Sequence, residues 1–349
     1  QMIMELARSE GMLNSSYCDG TKIYASLPSE TLLSNSNLPS GVSWAQVSRD
    51  NIRNADGTGW LPFNFKNLVG LQVTVLPVDP KNSLNDSLYY TFYCNPQRQY
   101  IFTAYPESKT FGPKGGKDSK TIADGGPDPY VYEVGNNLFI SPLKPVGSWS
   151  FEEGGDTTAY DSSGNNNHGT LKNGPTWTDG QVNGALSFDG VDDYVDCGNG
   201  ASLNITNAIT VEAWAKLNNL SGARTIISKA EGAGWGIEYG VSVVNKFDWA
   251  PNINGSYYVS LANDTAELNK WYHLVGTYDG QQVKFYINGI LQNDIKNITG
   301  SIKISSVQVE IGSNPPGASV LFNGLIDEAR IYNRALSAEE IKRHYEESK

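Results

Sequence analysis

Residues 159–171 read AYDSSGNNNHGTL, residues 185–199 read ALSFDGVDDYVDCGN, and residues 322–341 read FNGLIDEARIYNRALSAEEI. Between them lie short strand-like runs closed by hairpin signals, the pattern of an antiparallel β-sandwich. Val211, Ala213 and Ala215 fall on one face of a strand, with Glu212, Trp214 and Lys216 on the other. Val283, Phe285 and Ile287 alternate in the same way with Lys284, Tyr286 and Asn288. Asp279-Gly280 and Asn288-Gly289 read as type I′ turns at either end of that second strand. Ser337 with Glu340 forms a capping box, which predicts a short helix running through Ile341 and Tyr345.

In this order the three stretches resemble the laminin-G-like, concanavalin A-type jelly roll of bacterial surface proteins, over residues 146–349. That resemblance implies a calcium-stabilised binding module rather than an enzyme. The first part of the chain resembles bacterial type IV pilin-like proteins. The residues that carry this are DGTGWLPFNF at 56–65, LPVDP at 76–80, YYTFYC at 89–94 and DGG…YEVG between 124 and 135. A pilin-like domain implies a long N-terminal helix, apolar in its first half, leading into a small sheet. Only Ile3, Leu6, Ala7 and Glu10 keep helical spacing here, over 2–13, and the apolar half is missing. The chain opens on QMIMELARSEGML without a secretory pattern, so a removed targeting segment or a fragment is expected.

The domain reading is therefore mostly β. A pilin-like α+β domain spans 1–140, a linker 141–145, and an antiparallel sandwich 146–349. The linker is Ser141-Pro142-Leu143-Lys144-Pro145, whose two prolines deny it a ladder. In the first domain YYTFYC and YIFTA (100–104) are strand runs, and Asn95-Pro96-Gln97-Arg98 turns between them. Lys114 to Lys120 is a charged, glycine-rich loop.

The chain's 349 residues allow two cores, and its net charge of −11 argues against nucleic acid, whose binding needs a basic surface. Abundant Gly and Tyr with 18% charged residues suit an extracellular β protein. No apolar run reaches the roughly 18 residues needed to span a bilayer. Cys18, Cys94 and Cys197 are too few and dispersed for a zinc site. Cys18 and Cys94, both in the first half, are the expected disulfide, leaving Cys197 free; the alternative is three free thiols.

Catalysis finds little support. A glycoside hydrolase needs two carboxylates about 5–9 Å apart, and Glu212 stands alone in VEAWAK. Adjacent Asp327 and Glu328 should point to opposite faces, as should Asp192 and Asp193. The chain's three histidines are far apart, and no G-x-S-x-G, H-E-x-x-H or P-loop occurs. Metal binding reads better. Residues 161–168 pack Asp, two Ser, Gly and three Asn into one loop, a set of hard oxygens suited to Ca²⁺. In the jelly-roll family calcium joins the first and last strands. That implies Asp161, Asn165 and Asp327 as ligands, with Glu152 a fourth. The alternative is an Asx-turn loop, with Asp327 paired to Arg330.

Residues 235–258 hold Trp235, Tyr239, Trp249, Tyr257 and Tyr258 among Gly, Asn and Asp, the groups that stack on and hydrogen-bond a sugar. The alternative is that these rings fill the core, although consecutive Tyr257 and Tyr258 cannot both do so. The expected function is a surface or pilus-associated adhesin-type protein. It would display this module to a glycan or cell-surface protein, with other pilin subunits as further partners. A structural pilus or pseudopilus subunit is the alternative, and a carbohydrate-active enzyme the third.

Overall fold

Two units, Gln1–Lys144 and Pro145–Lys349, divide the chain in a computed structural model. It describes residues 17–31, 33, 35, 38–55, 58–63, 75–76, 78, 89–104, 132–230, 234–239, 245–316 and 320–349. The helix expected at 2–13, the loop at 114–120 and parts of the quoted pilin-like stretches lie outside those residues.

In the first unit five strands form one sheet, in the order Ser43–Ala45, Lys22–Ala25, Thr91–Cys94, Tyr100–Ala104, Tyr132–Gly135. The first pairing is parallel and the rest are antiparallel. The expected hairpin forms, and Asn95 closes it by accepting the Gln97 and Gln99 N–H groups at 3.1 Å each. Phe92 sits at the centre of the core, 5.2 Å from the Phe63 ring and 4.8 Å from Phe102. Such offset and edge-on packing is the arrangement aromatic quadrupoles favour.

The second unit is the antiparallel sandwich that the alternation predicts. One sheet runs Ile290–Leu291, Gln282–Ile287, Trp271–Tyr278, Ile209–Leu217, Asn323–Tyr332, Gly184–Asp189, Thr176–Asp179. Gly147–Trp149 and Lys296–Asn297 join it beside Asn323–Tyr332 and Gln282–Ile287. The other sheet runs Ser260–Leu261, Phe247–Trp249, Gly236–Tyr239, Arg224–Ser228, Glu310–Ile311, Tyr194–Asp196, Gly169–Lys172, Thr158–Ala159. Val211, Ala213 and Ala215 face the shared core, as do Val283 and Phe285.

Turn chemistry is met at one of the two expected sites. Asn288 and Gly289 both take positive φ (52° and 76°), as a type I′ turn requires. At 279–280 only the glycine does; Asp279 instead accepts the Gln281 and Gln282 N–H groups (2.9 and 2.7 Å) as an Asx-type turn. Helix Ala338–Ser348 begins at the predicted box. Ser337 Oγ accepts the Glu340 N–H at 3.2 Å and Glu340 Oε2 accepts the Ser337 N–H at 2.9 Å. The helix lies on the outward face of the first sheet over a small core of its own, Val275, Tyr286, Tyr332, Leu336 and Ile341.

Candidate functional site

The oxygen-rich loop at 161–168 is folded around Asp161, and that occupies the carboxylate. Its Oδ1 accepts the N–H groups of Ser148 (3.0 Å) and Ser163 (2.8 Å). Its Oδ2 accepts the Asn167 N–H (2.9 Å) and the Ser163 hydroxyl (2.8 Å). Asn165 donates its amide to the Val146 carbonyl at 3.0 Å. These contacts staple the loop to strand Gly147–Trp149. Among the described residues no hydrogen bond links Asp161 or Asn165 to Asp327, which is bonded to Gln181 and Val182 instead. The loop follows the Asx-turn alternative, because a carboxylate ringed by four donors has its lone pairs satisfied without a metal.

Asp327 and Glu152 make a different pair. Asp327 Oδ2 accepts the Gln181 and Val182 N–H groups at 2.9 and 2.8 Å. Its Oδ1 is buried with no hydrogen-bond partner among the described residues. Glu152 reaches the same turn, Oε2 accepting the Gly184 N–H at 3.2 Å. Burial, then the nearby charge of Glu152, pushes the Asp327 carboxyl well above its usual range against the pull of the Val182 N–H and Arg330. Burial likewise raises Glu152. Gly180 is required here, since a Cβ would stand 2.7 Å from Asp327 Oδ2 and 2.2 Å from the Gly184 carbonyl. An orphaned carboxylate oxygen next to a second carboxyl is the donor set a hard cation needs. Asp327 and Glu152 fit such an ion; Asp161 does not.

Arg330 forms ion pairs with Glu212 and Glu328, whereas the alternative to the metal reading pairs it with Asp327. The cause is a bulge. Glu212 pairs with Arg330 but Trp214 pairs with Asp327, so one extra residue sits between, and Glu328 takes φ +53° to absorb it. Residues paired across a ladder share a face, which puts Asp327 and Arg330 outward together with Glu212 and Trp214. The Glu328–Arg330 contact brings Glu328 to that face as well. Strict alternation therefore fails at 327–328, and the expectation of opposite faces is corrected.

Nor is Glu212 alone. It is fully buried on the outward face beneath the helix, its Oε1 2.7 Å from His273 Nε2. His344 Nδ1 on the helix lies 3.1 Å from each carboxylate oxygen, and Arg330 Nη1 lies 3.9 Å from Oε1. Two of the three histidines thus meet on one carboxylate. Their separations of 61 and 132 residues in sequence hid them. The outward position of Glu212 beside Trp214, at the middle of a strand, was the available signal.

Two of the five expected sugar-binding rings belong to the core. Trp235 is 1% exposed and Trp249 0%, both inside the sandwich. Phe247 and Trp249 are two apart on one strand, the spacing of one inward face, and Trp235 packs into the same core just before strand Gly236–Tyr239. The Tyr239 side chain lies outside the described residues. Tyr257 is 41% exposed, while Tyr258 leans on the core. Tyr257 stands on a hairpin, Asn252–Ile253 with Ser256–Tyr257, whose Asn254-Gly255 turn has φ of 53° and 92°.

Among the described residues, Asp189, Asp192 and Asp193 bring carboxylate oxygens within 4.8 Å of one another. Asp189 Oδ1 accepts the Val191 N–H at 2.7 Å and Asp193 Oδ2 the Asp189 N–H at 3.0 Å, which closes a tight turn at Gly190. Asp193 is buried, and burial raises its carboxyl.

In the first unit Cys18 and Cys94 are bridged, with an S–S distance of 2.03 Å and Cα atoms 4.8 Å apart. Cys197 is a free thiol in the sandwich core, where burial raises it well above its usual range. No helix of the described residues is long and apolar enough to cross a membrane.

Comparison with known proteins supports the sandwich. No curated protein matches the chain. Among solved structures, domain 4 of AbnA, a GH43 extracellular arabinanase from Geobacillus stearothermophilus in complex with arabinotriose, is 23% identical at a TM-score of 0.47. That match covers 57% of this chain and 97% of the domain. The binding domain of Paraclostridial Mosquitocidal Protein 1 is 19% identical at a TM-score of 0.47, over 58% of this chain. The botulinum neurotoxin serotype G binding domain is 20% identical at 0.46, again over 58%. The chain spans about half the length of these last two, 51% and 50%. The family model described as the concanavalin A-like lectin/glucanases superfamily matches residues 189–342, all within the second unit. Over residues 189–342 the chain is similar to that superfamily, and the second unit that contains them is an antiparallel β-sandwich consistent with a jelly roll.

Proposed function

We propose that this chain is an extracellular, surface-displayed binding protein of adhesin type, whose jelly roll recognises a glycan or cell-surface protein and acts without catalysis. The observation that carries this reading is the match of residues 189–342 of the sandwich to the concanavalin A-like lectin/glucanases model. The Tyr257 ring at a hairpin rim supports it, because exposed rings beside Asn and Ser groups suit a polyhydroxylated ligand. Burial of Glu212 and Asp327 speaks against a hydrolytic pair, since neither carboxylate can reach a substrate. Glycan-array binding by the whole chain tests the reading. Tyr257→Ala should weaken a positive signal by at least tenfold, in line with the ~1.5 kcal/mol an aromatic contact contributes. Binding that is unchanged by this substitution removes Tyr257 from the site, and a blank array favours a protein ligand or the decorative reading.

Calcium belongs to the proposal at Asp327 and Glu152. A bound divalent ion would neutralise two carboxyls that burial leaves poorly compensated, and tie strand Asn323–Tyr332 to the turn at 180–184. In chelator, Asp327→Asn should leave the second unit as stable as the parent or more so. With calcium at a hundredfold excess over Kd the parent should gain about 2.7 kcal/mol and the variant nothing. Thermal melts in EDTA and in millimolar calcium check this, and superimposable parent curves would falsify it.

The first unit would attach the module to a filament or envelope. Its pilin resemblance and small disulfide-linked sheet support that role, with a structural pilus subunit as the alternative. Helical filaments assembled from the chain would favour the alternative.

A further inference from the structure

The cluster on Glu212 is not used by the binding reading, and it joins three separate elements through one carboxylate. Glu212 belongs to strand Ile209–Leu217, His273 to Trp271–Tyr278 and His344 to helix Ala338–Ser348. Arg330, Glu328 and Asp327 share the same outward face from strand Asn323–Tyr332. Above it the helix stacks Tyr345 on Trp214 (5.8 Å, 30°) and on His273 (6.2 Å, 27°). Trp214 Nε1 donates to Ser348 Oγ at 3.0 Å. Every contact of this group crosses from sheet to helix or lies directly beneath the helix.

We propose that Glu212, His273 and His344 form an acid-sensitive latch that holds the C-terminal helix on the sheet, so that acidification frees the helix and uncovers the aromatic face of Trp214, Tyr286 and Tyr332.

The chemistry follows from the arrangement. At neutral pH one carboxylate accepts from imidazoles on both sides, and no water reaches it. Protonating Glu212 removes the acceptor that both rings share. Protonating His273 places a further cation beside Arg330 in a dry space. Burial would raise Glu212, but its pairing with His344 and its hydrogen bonds to His273 and His344 hold it well below the usual carboxylate range. Burial lowers His273 against the pull of Glu212. Both signs agree. An acid with a depressed folded pKa contributes stability above about 4.5, which is lost as pH falls through the folded value. A histidine held neutral makes the fold lose stability as pH falls below about 6.5, because the released state takes up the proton.

The helix should respond before the sandwich does. Its underlying core, Val275, Tyr286, Tyr332, Leu336 and Ile341, is separate from the main one. Its first turn is held by Glu340 to Arg334 (2.9 Å) and by the capping box. Although burial opposes it, Arg334 holds Glu340 down to about 2, so that anchor survives when the latch opens. The C-terminal half, from His344 onward, should therefore leave first.

Hydrogen exchange on the whole chain at pH 7.5, 6.0, 5.0 and 4.0, corrected for intrinsic rates, tests the latch. Peptides covering 338–349 should gain at least tenfold in exchange as pH falls from about 6.5 to 4.0, the side on which His273 takes up its proton, while 209–217 and 271–278 stay protected. Trp214 emission should shift over the same range. Glu212→Gln should show the released helix already at pH 7.5 and lose the pH dependence. Equal helix protection across the series, or loss of helix and sandwich together, overturns the proposal. Should Glu212→Gln fail to fold, the parent titration decides alone.

Discussion

Replacing both Cys18 and Cys94 by alanine should lower the stability of the first unit by about 2–5 kcal/mol, the range found when a native bridge is removed from a small domain. The bridge closes 76 residues, long enough for the chain-entropy model to assign about 4–5 kcal/mol to the restricted unfolded state. It also anchors Cys94, at the end of strand Thr91–Cys94, to the segment leading into Lys22–Ala25. Both sulfurs are buried among Tyr24, Phe63, Phe92 and Tyr100, so the loss includes packing. Reductant should lower the first unit's transition and leave that of the sandwich unchanged, because Cys197 has no partner thiol there. Alkylation of the folded, unreduced chain should label no cysteine, and after unfolding without reductant it should label one. Three labelled thiols would exclude the bridge.

The sandwich was readable because its determinants are local. Period-two alternation over 209–217 assigned Val211 and Ala213 to the core side, and the structure buries them there. Ser337 and Glu340 named the start of the helix, since a capping box needs only residues three apart. What could not be read depends on residues distant in sequence or on backbone that side chains do not announce. A glutamate with φ +53° at 328 carries no sequence mark, yet it moves Asp327 onto the face of Glu212. Asp161 looked like a metal ligand because a list of oxygens shows acceptors and hides the four donors that the folded loop aims at them. The glycan reading erred at Trp235 and Trp249 for a related reason. Aromatic richness is the same on an inward face and on a rim, and only pairing register separates them.

Trp249 therefore supplies the second large effect. Trp249→Ala should destabilise the second unit by about 3–5 kcal/mol through lost burial and the cavity left behind. A ligand contact would cost binding and leave stability intact. The ring comes from strand Phe247–Trp249 of one sheet and lies on Gly276, in strand Trp271–Tyr278 of the other. A Cβ at 276 would meet its Cδ2 at 2.2 Å, and Trp249 Nε1 donates to the Thr277 carbonyl at 3.2 Å. Gly276→Ala alone should thus cost about 1–3 kcal/mol or more by overpacking, since the ring is hemmed in by the core and cannot withdraw. The double variant decides the matter. With the indole gone, the new methyl enters the space it left, so Trp249→Ala with Gly276→Ala should be less destabilising than the two single costs added. Urea titrations of the four proteins measure the coupling. Strict additivity would mean that ring and glycine do not touch, and that the sheets pack in another register than the one described.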